Sequence, residues 1–141
     1  MKILFKAKAI NRPENNSSRR SRYRNGDWVY GLVTKEAKVI YDLPAEMTNT
    51  DGISGIEVDY KTISPAIDVL DKYCKEIFKG DIVKLFNKEV YGVVKYNKGA
   101  YYVDIYYTNE KVTFFKDIDS SDVEVIGNIY DNSPLADYLR K

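Results

Sequence analysis

The chain of 141 residues contains no histidine and a single cysteine, Cys74. Without histidine, the commonest general base, the usual activator of a serine or cysteine nucleophile and the commonest zinc ligand are all missing. One thiol can neither form an intramolecular disulfide nor complete a zinc site alone, which fits a reducing compartment. Flanked by Lys72 and Lys75, Cys74 reads as a small buried or half-buried filler. No run approaches the ~18 apolar residues of a membrane span, and Met1–Lys8 lacks the apolar core of a secretory signal. A cytoplasmic protein that does not engage membrane is the expectation. Phosphate loops are lacking too: there is no G-x-G-x-x-G or G-x-x-x-x-G-K-[ST], and Gly52-Ile53-Ser54-Gly55 is too short and has no lysine. No catalytic residue, cofactor, metal or small-molecule substrate is therefore indicated, and a protein that is not an enzyme is expected. Carboxylate chemistry is the route left open. The densest acidic stretch, Asp117–Glu124, lacks the glycine and the bidentate glutamate of a calcium loop and reads as a solvated turn between strands. Asp81, beside Gly80, reads as a turn residue whose carboxylate holds nearby backbone N–H groups.

What is present is apolar and aromatic. The chain is 44% hydrophobic, 30% charged and 13% aromatic, with thirteen tyrosines. That composition is globular and leans toward strands, where aromatic rings pack on a pleated surface. Charge is divided along the chain. Residues 1–26 carry eight bases against one acid, net +7, and residues 27–141 carry fourteen against twenty, net −6.

Read in order, residues 2–10 alternate apolar side chains with Lys2, Lys6 and Lys8 and predict a strand, an edge strand guarded by its lysines. Residues 11–26 form a polar basic loop anchored only by Tyr23. Strands are predicted at 27–34 and 38–43, a turn-rich passage from Pro44 to Gly55, and a short strand at 56–60. Ser64 and Pro65 read as the cap and first residue of one or two helical turns through Tyr73. The second half is organised around Ile77–Phe86, a Gly80-Asp81 turn feeding a strand. Strands follow at 82–87, 90–97, 100–108, 112–116 and 123–130, with a tight hairpin at Asn97-Lys98-Gly99. Ser133-Pro134 reads as the start of a closing helix over 135–140. The expected fold is mainly β with minor α: an N-terminal β lobe over 1–76 and a small SH3-like barrel over 77–141. An echo between Val29-Tyr30-Gly31-Leu32-Val33 and Val90-Tyr91-Gly92-Val93-Val94 reads either as a duplication or as two strands that each need a glycine.

Two groups of residues are candidates for contact. Arg19, Arg20, Arg22, Tyr23 and Arg24 could neutralise phosphates and stack on a base, could meet an acidic protein surface, or could be a solvated loop. Tyr102 and Tyr106 share one face of a strand and are candidate protein-contact aromatics, with core packing as the alternative.

Several blocks, in order, resemble the YopX family of phage and prophage proteins. Ile3-Leu4-Phe5-Lys6-Ala7 is similar to the family's I-K-F-R-A opening, Trp28-Val29-Tyr30-Gly31 to W-V-Y-G, and Glu57–Ile63 to its V-D-P-x-T-I stretch. Asp71-Lys72, Lys75–Phe78 and Gly80–Val83 resemble D-K-x-G-K-x-I-[FY]-E-G-D-I-V, and Val125–Asn132 resembles V-I-G-N-I-Y-[ED]-N. Departures are Tyr73-Cys74 where the family has Asn-Gly, Lys79 for Glu, and Pro65–Val69 for Gln-Tyr-Thr-Gly-Leu. The resemblance implies an intracellular, phage-encoded protein with an SH3-like C-terminal half that forms an oligomer. It implies no activity, ligand or catalytic residue. The expected function is thus a protein-binding or self-assembling module, a homo-oligomer or a partner of another protein, with nucleic-acid binding through residues 19–24 as the alternative.

Overall fold

Alternation decides the strands. In the computed structural model, which describes residues 3–11, 23–86, 88–105, 112–115 and 118–132, eleven strands account for nearly all regular structure among those residues. The helical turns among them are short 3-10 segments at Val39–Tyr41, Tyr60–Thr62 and Ser120–Asp122. None is long and apolar enough to cross a membrane. The protein is mainly β, as its composition predicts. The closing helix predicted over 135–140 lies outside the described residues.

The chain divides into two compact units, Lys2–Pro65 and Ala66–Lys141. In the first, β1 (Phe5–Lys8) pairs with β2 (Trp28–Lys35), β2 with β3 (Ala45–Asn49), and β3 with β4 (Ile56–Val58), all antiparallel. The ring then closes. Ala9, directly after β1, bridges Val58 of β4, with Ile10 N–H on the Glu57 carbonyl (2.9 Å) and Asp59 N–H on the Lys8 carbonyl (2.9 Å). Inside are Ala7, Ala9, Val29, Ala45, Met47 and Val58, all buried. Three of those six are alanine, and Met47 is the largest side chain among them. The first residues of β5 (Ser64–Leu70) pair with the other side of β1, Lys6 opposite Ser64 and Phe5 opposite Pro65.

Four expectations for this half are corrected. β1 is not an edge strand, since it is paired on both sides. Lys6 is buried with its ammonium 4.6 Å from the Trp28 ring, so its stem packs while its charge meets the ring's negative face. Residues 38–43 are not a strand: one bridge joins Lys38 to Leu43 around a 3-10 turn. The passage from Pro44 to Gly55 contains β3, hidden from a hydrophobicity reading because its inward positions are Ala45, Met47 and Asn49. The helical turns read from Ser64-Pro65 are strand β5 instead. Ser64 Oγ donates to the Thr62 carbonyl (2.9 Å) and caps nothing, and sheet pairing with burial of Ile67 outweighs a local cap signal.

The second unit follows its sequence pattern closely. β6 (Glu76–Phe78) pairs with the later part of β5 across a bulge at Asp68, which has φ 65°. β7 (Asp81–Leu85), β8 (Val90–Asn97), β9 (Ala100–Ile105) and β10 (Val112–Phe114) form a meander, and β11 (Val123–Asn128) returns to pair with β7. The sheet order is β10-β9-β8-β7-β11. The β8–β9 hairpin turns on Lys98 (φ 49°) and Gly99 (φ 86°), a two-residue loop whose positive φ angles match strand twist. One face packs Ile67, Ile77, Val83, Leu85, Val94, Val103, Ile105, Phe115 and Val123, and the other face a smaller group centred on Ile82 and Val93.

The echoed V-Y-G segments lie in β2 and β8, and each glycine meets the same constraint. A Cβ on Gly31 would lie 2.0 Å from the Thr48 carbonyl oxygen, and one on Gly92 would lie 2.5 Å from Val103 Cγ1 and 2.6 Å from the Asp104 oxygen. Close backbone approach explains both.

Candidate interaction surfaces

Of the residues singled out as contacts, Tyr23 and Arg24 lie in the first unit and Tyr102 in the second. Arg19, Arg20, Arg22 and Tyr106 lie outside the described residues. Tyr23 packs against the first unit's core, and its hydroxyl accepts from Asn49 Nδ2 (2.7 Å). Asn49 is held in turn, its Oδ1 accepting from Asp51 N–H (3.0 Å) and Ile53 N–H (2.9 Å). The phenol is thus an anchor for the end of the basic loop. Arg24 is exposed, and its backbone N–H donates to Asp27 Oδ2 (2.9 Å) in the turn that enters β2. Tyr102 is half-buried in β9, opposite Lys95 of β8 and Phe114 of β10. Behind it, Tyr96 and Tyr101 face each other with ring centroids 4.9 Å apart. Burial, and then the Tyr96 neighbour, raise the Tyr101 hydroxyl above its ordinary pKa.

The motif residues that carry the family resemblance hold backbone. Asp59 caps the 3-10 turn after β4 by accepting from Lys61 N–H (3.0 Å). Thr62 Oγ1 accepts from Lys8 N–H of β1 (2.8 Å) and donates to the Asp59 carbonyl (2.7 Å). Asp81, almost fully buried, accepts from Phe78 N–H (2.8 Å), the brace expected of it. Across the sheet from Asp81 is Asn128, whose Oδ1 accepts from Tyr130 N–H (3.0 Å) and Asp131 N–H (2.8 Å). Asn132 Oδ1 closes the same turn on Asn128 N–H (3.1 Å).

Asp71 is the most heavily used carboxylate of this set. Its Oδ1 accepts from Tyr73 and Lys75 N–H (both 2.9 Å) and its Oδ2 from Val125 N–H of β11 (3.0 Å). Burial pushes its carboxyl up. The N–H bonds from Val125, Lys75 and Tyr73, helped by the Lys75 charge, outweigh burial and hold it below the ordinary carboxylate range. These bonds also keep the Tyr73-Cys74 turn tight, and Cys74 is exposed at φ 61° rather than the buried or half-buried filler its sequence suggests.

The surface that sequence reasoning missed is apolar. Between β2 and β3 the chain runs out into a tab in which Val39 is 68% exposed, Ile40 92%, Tyr41 74% and Leu43 51%. Lys38 N–H and Leu43 N–H close its base on each other's carbonyls (2.9 and 3.0 Å), and Asp42 turns its tip at φ 52°. Two clefts flank it. One is lined by Lys35, Glu36, Lys38, Leu43, Pro44 and Glu46. The other is walled by the tab's roots, Val39 and Leu43, with Ile10, Ala37, Val58 and Tyr60, and has Asp42, Asp59 and Lys61 on it. The apolar run was visible in the sequence, but its exposure was not.

A second surface is mixed. Lys6 and Lys8 hold their ammonium groups 4.6 and 5.5 Å from the Trp28 ring, beside exposed Tyr30 on β2. The stems of the basic loop meet at the same end of these strands, where Ala9 N–H donates to the Asp27 carbonyl (2.7 Å) and Gly26 N–H to the Ala9 carbonyl (2.8 Å).

No curated protein matches the chain at a significant level. The family model described as YopX protein matches residues 34–137, which take in most of the chain and the signature turns above. The chain belongs to the YopX family.

Proposed function

We propose that this protein is a non-enzymatic contact module, a self-assembling or protein-binding member of its phage-type family that works in the cytoplasm. The observation that carries the reading is the tab: three consecutive large apolar residues, Val39, Ile40 and Tyr41, each more than two-thirds exposed. Surface hydrophobes are ordinary singly, whereas several large ones side by side point to a contact surface. The SH3-like reading of the second unit is supported by its strand order, with the last strand returning beside the first and a 3-10 turn just before it.

The test is a photoreactive phenylalanine analogue in place of Ile40, illuminated in the native cells, with the same probe at exposed Lys98 as control. Protein adducts at position 40 above the control are expected. Their absence overturns the reading.

The Trp28 surface favours one alternative, a nucleic-acid module, because two lysines hold their charges against the Trp28 ring at the foot of a loop rich in arginine. Fluorescence anisotropy with single- and double-stranded DNA and RNA at low and high salt decides it. Binding that weakens with salt and vanishes when Arg19, Arg20, Arg22 and Arg24 become alanine would replace the contact-module reading.

A further inference from the structure

The turn that enters β2 holds a reactive pair of its own. Asn25 is the one asparagine of the chain followed by glycine, and both residues are exposed. They are the middle pair of a four-residue turn closed by Asp27 N–H on the Arg24 carbonyl (3.0 Å). Gly26 has φ 91°, and no atom of the described residues lies within 4 Å of where its Cβ would stand. The Gly26 nitrogen can therefore approach the Asn25 side-chain amide without a steric barrier of its own. Asn11 N–H donates to Asn25 Oδ1 (3.2 Å), the oxygen on which negative charge collects when that amide is attacked.

We infer that Asn25 is a self-modification site whose product unlatches the stem of the basic segment. The Gly26 nitrogen bonds to Asn25 Cγ, the Cγ–Nδ2 bond breaks, and ammonia leaves with the proton that Gly26 gives up, which closes a succinimide ring. Water then opens the ring to aspartate or isoaspartate, and nothing is oxidised or reduced. The fold restrains this reaction without abolishing it. Gly26 N–H donates to the Ala9 carbonyl (2.8 Å), so the turn must open before the ring can close.

The stem is where the product is felt. Asn25 Oδ1 and Gly26 N–H tie the turn to Asn11 and Ala9, and Ala9 is also the residue that bridges Val58 of β4. Aspartate keeps the oxygen that Asn11 N–H needs. Isoaspartate lengthens the main chain by a carbon atom before Gly26, so the bonds to Asn11 and Ala9 cannot both be kept. Either product adds a negative charge to a segment, residues 1–26, that otherwise carries net +7.

The experiment incubates the full chain at mildly alkaline pH, folded and unfolded in guanidinium chloride, and follows position 25 by peptide mass and an isoaspartate-specific methylation assay. Conversion at Asn25 ahead of every other asparagine is expected in both states. It should run about 10-fold slower in the folded chain, the worth of roughly one hydrogen bond on the turn. Asn25→Gln, whose imide ring would be larger and slower to close, should lose the signal at position 25 with an unchanged circular dichroism spectrum. Amide hydrogen exchange at Ala9 and Gly26 then reads the stem. Asn25→Asp should exchange as the native chain does, and the purified isoaspartate form about 10-fold faster or more. No conversion at position 25 of the folded chain overturns the proposal. So does a folded rate that equals or exceeds the unfolded one, or an isoaspartate form whose stem exchanges no faster than that of Asn25→Asp.

Discussion

The two units solve the problem of a small β core differently. The second fills both faces of an open five-stranded sheet with branched aliphatic side chains, and among the described residues it leaves four large hydrophobes exposed: Leu70, Tyr73, Phe86 and Tyr96. The first closes four strands into a ring so narrow that alanine supplies half of its buried apolar set, and it leaves nine exposed, among them Tyr30, Leu32 and the tab. The first unit's buried apolar set is Met47, two valines and three alanines, with Phe5, Tyr23, Ile56 and Ile63 packed partly buried against it. The second unit's exposed apolar side chains are scattered along the sequence, whereas four of the first unit's, Val39, Ile40, Tyr41 and Leu43, fall within five consecutive residues.

The sharpest way to break this comparison is to crowd each unit at its tight glycine. Gly31→Ala would drive a methyl into backbone of β3, and we expect a loss of about 4 kcal/mol, enough to unfold the first unit. Gly92→Ala meets a valine side chain as well as backbone, and the side chain can turn, so a smaller loss of about 3 kcal/mol is expected. Chemical denaturation followed by Trp28 fluorescence and by circular dichroism measures both. Equal losses would mean the narrow ring is no more crowded than the open sheet.

A smaller effect separates the units by pH. Asp71 lies in the second unit with its carboxyl pKa depressed, so it stabilises the fold above the unfolded-state pKa, and that contribution is lost as pH falls through the lower, folded value. Asp71→Asn should cost about 1–2 kcal/mol at neutral pH and flatten the acid limb of stability against pH. A variant whose acid limb matches that of the native chain would show that the three N–H bonds do not favour the charged form.

The smallest effect is a gain. Cys74 holds a left-handed φ of 61°, so Cys74→Gly should stabilise by about 0.5–1 kcal/mol, relief of backbone strain exceeding the added freedom of the unfolded chain. Thermal melts decide it, and a lower Tm would mean that the turn is unstrained.

These differences also explain what could be read from sequence. The strands at 82–87, 90–97 and 123–130 and the turn at Lys98-Gly99 were legible because alternation and turn chemistry are local signals. β3 was not, because a ring interior selects alanine and a satisfied asparagine over the valine and isoleucine that announce a strand. Ser64-Pro65 carried a true cap signal that pairing on β1 overrode. Val39-Ile40-Tyr41 looked like a strand because apolar residues are expected inside, whereas all three stand more than two-thirds exposed around a 3-10 turn. Of the contact candidates, Tyr23 was recognised as the basic loop's anchor, but its bond to Asn49 joins positions 26 residues apart and leaves no local trace.

The bridge from Ala9 to Val58 also bears on time. Each hairpin of the second unit can form from neighbouring residues within microseconds, whereas the ring must bring together segments 49 residues apart before its alanines are shielded. On a ribosome β1 would emerge well before its closing partner β4, so the free flank of β1 stays available to any passing strand for seconds at ordinary synthesis rates.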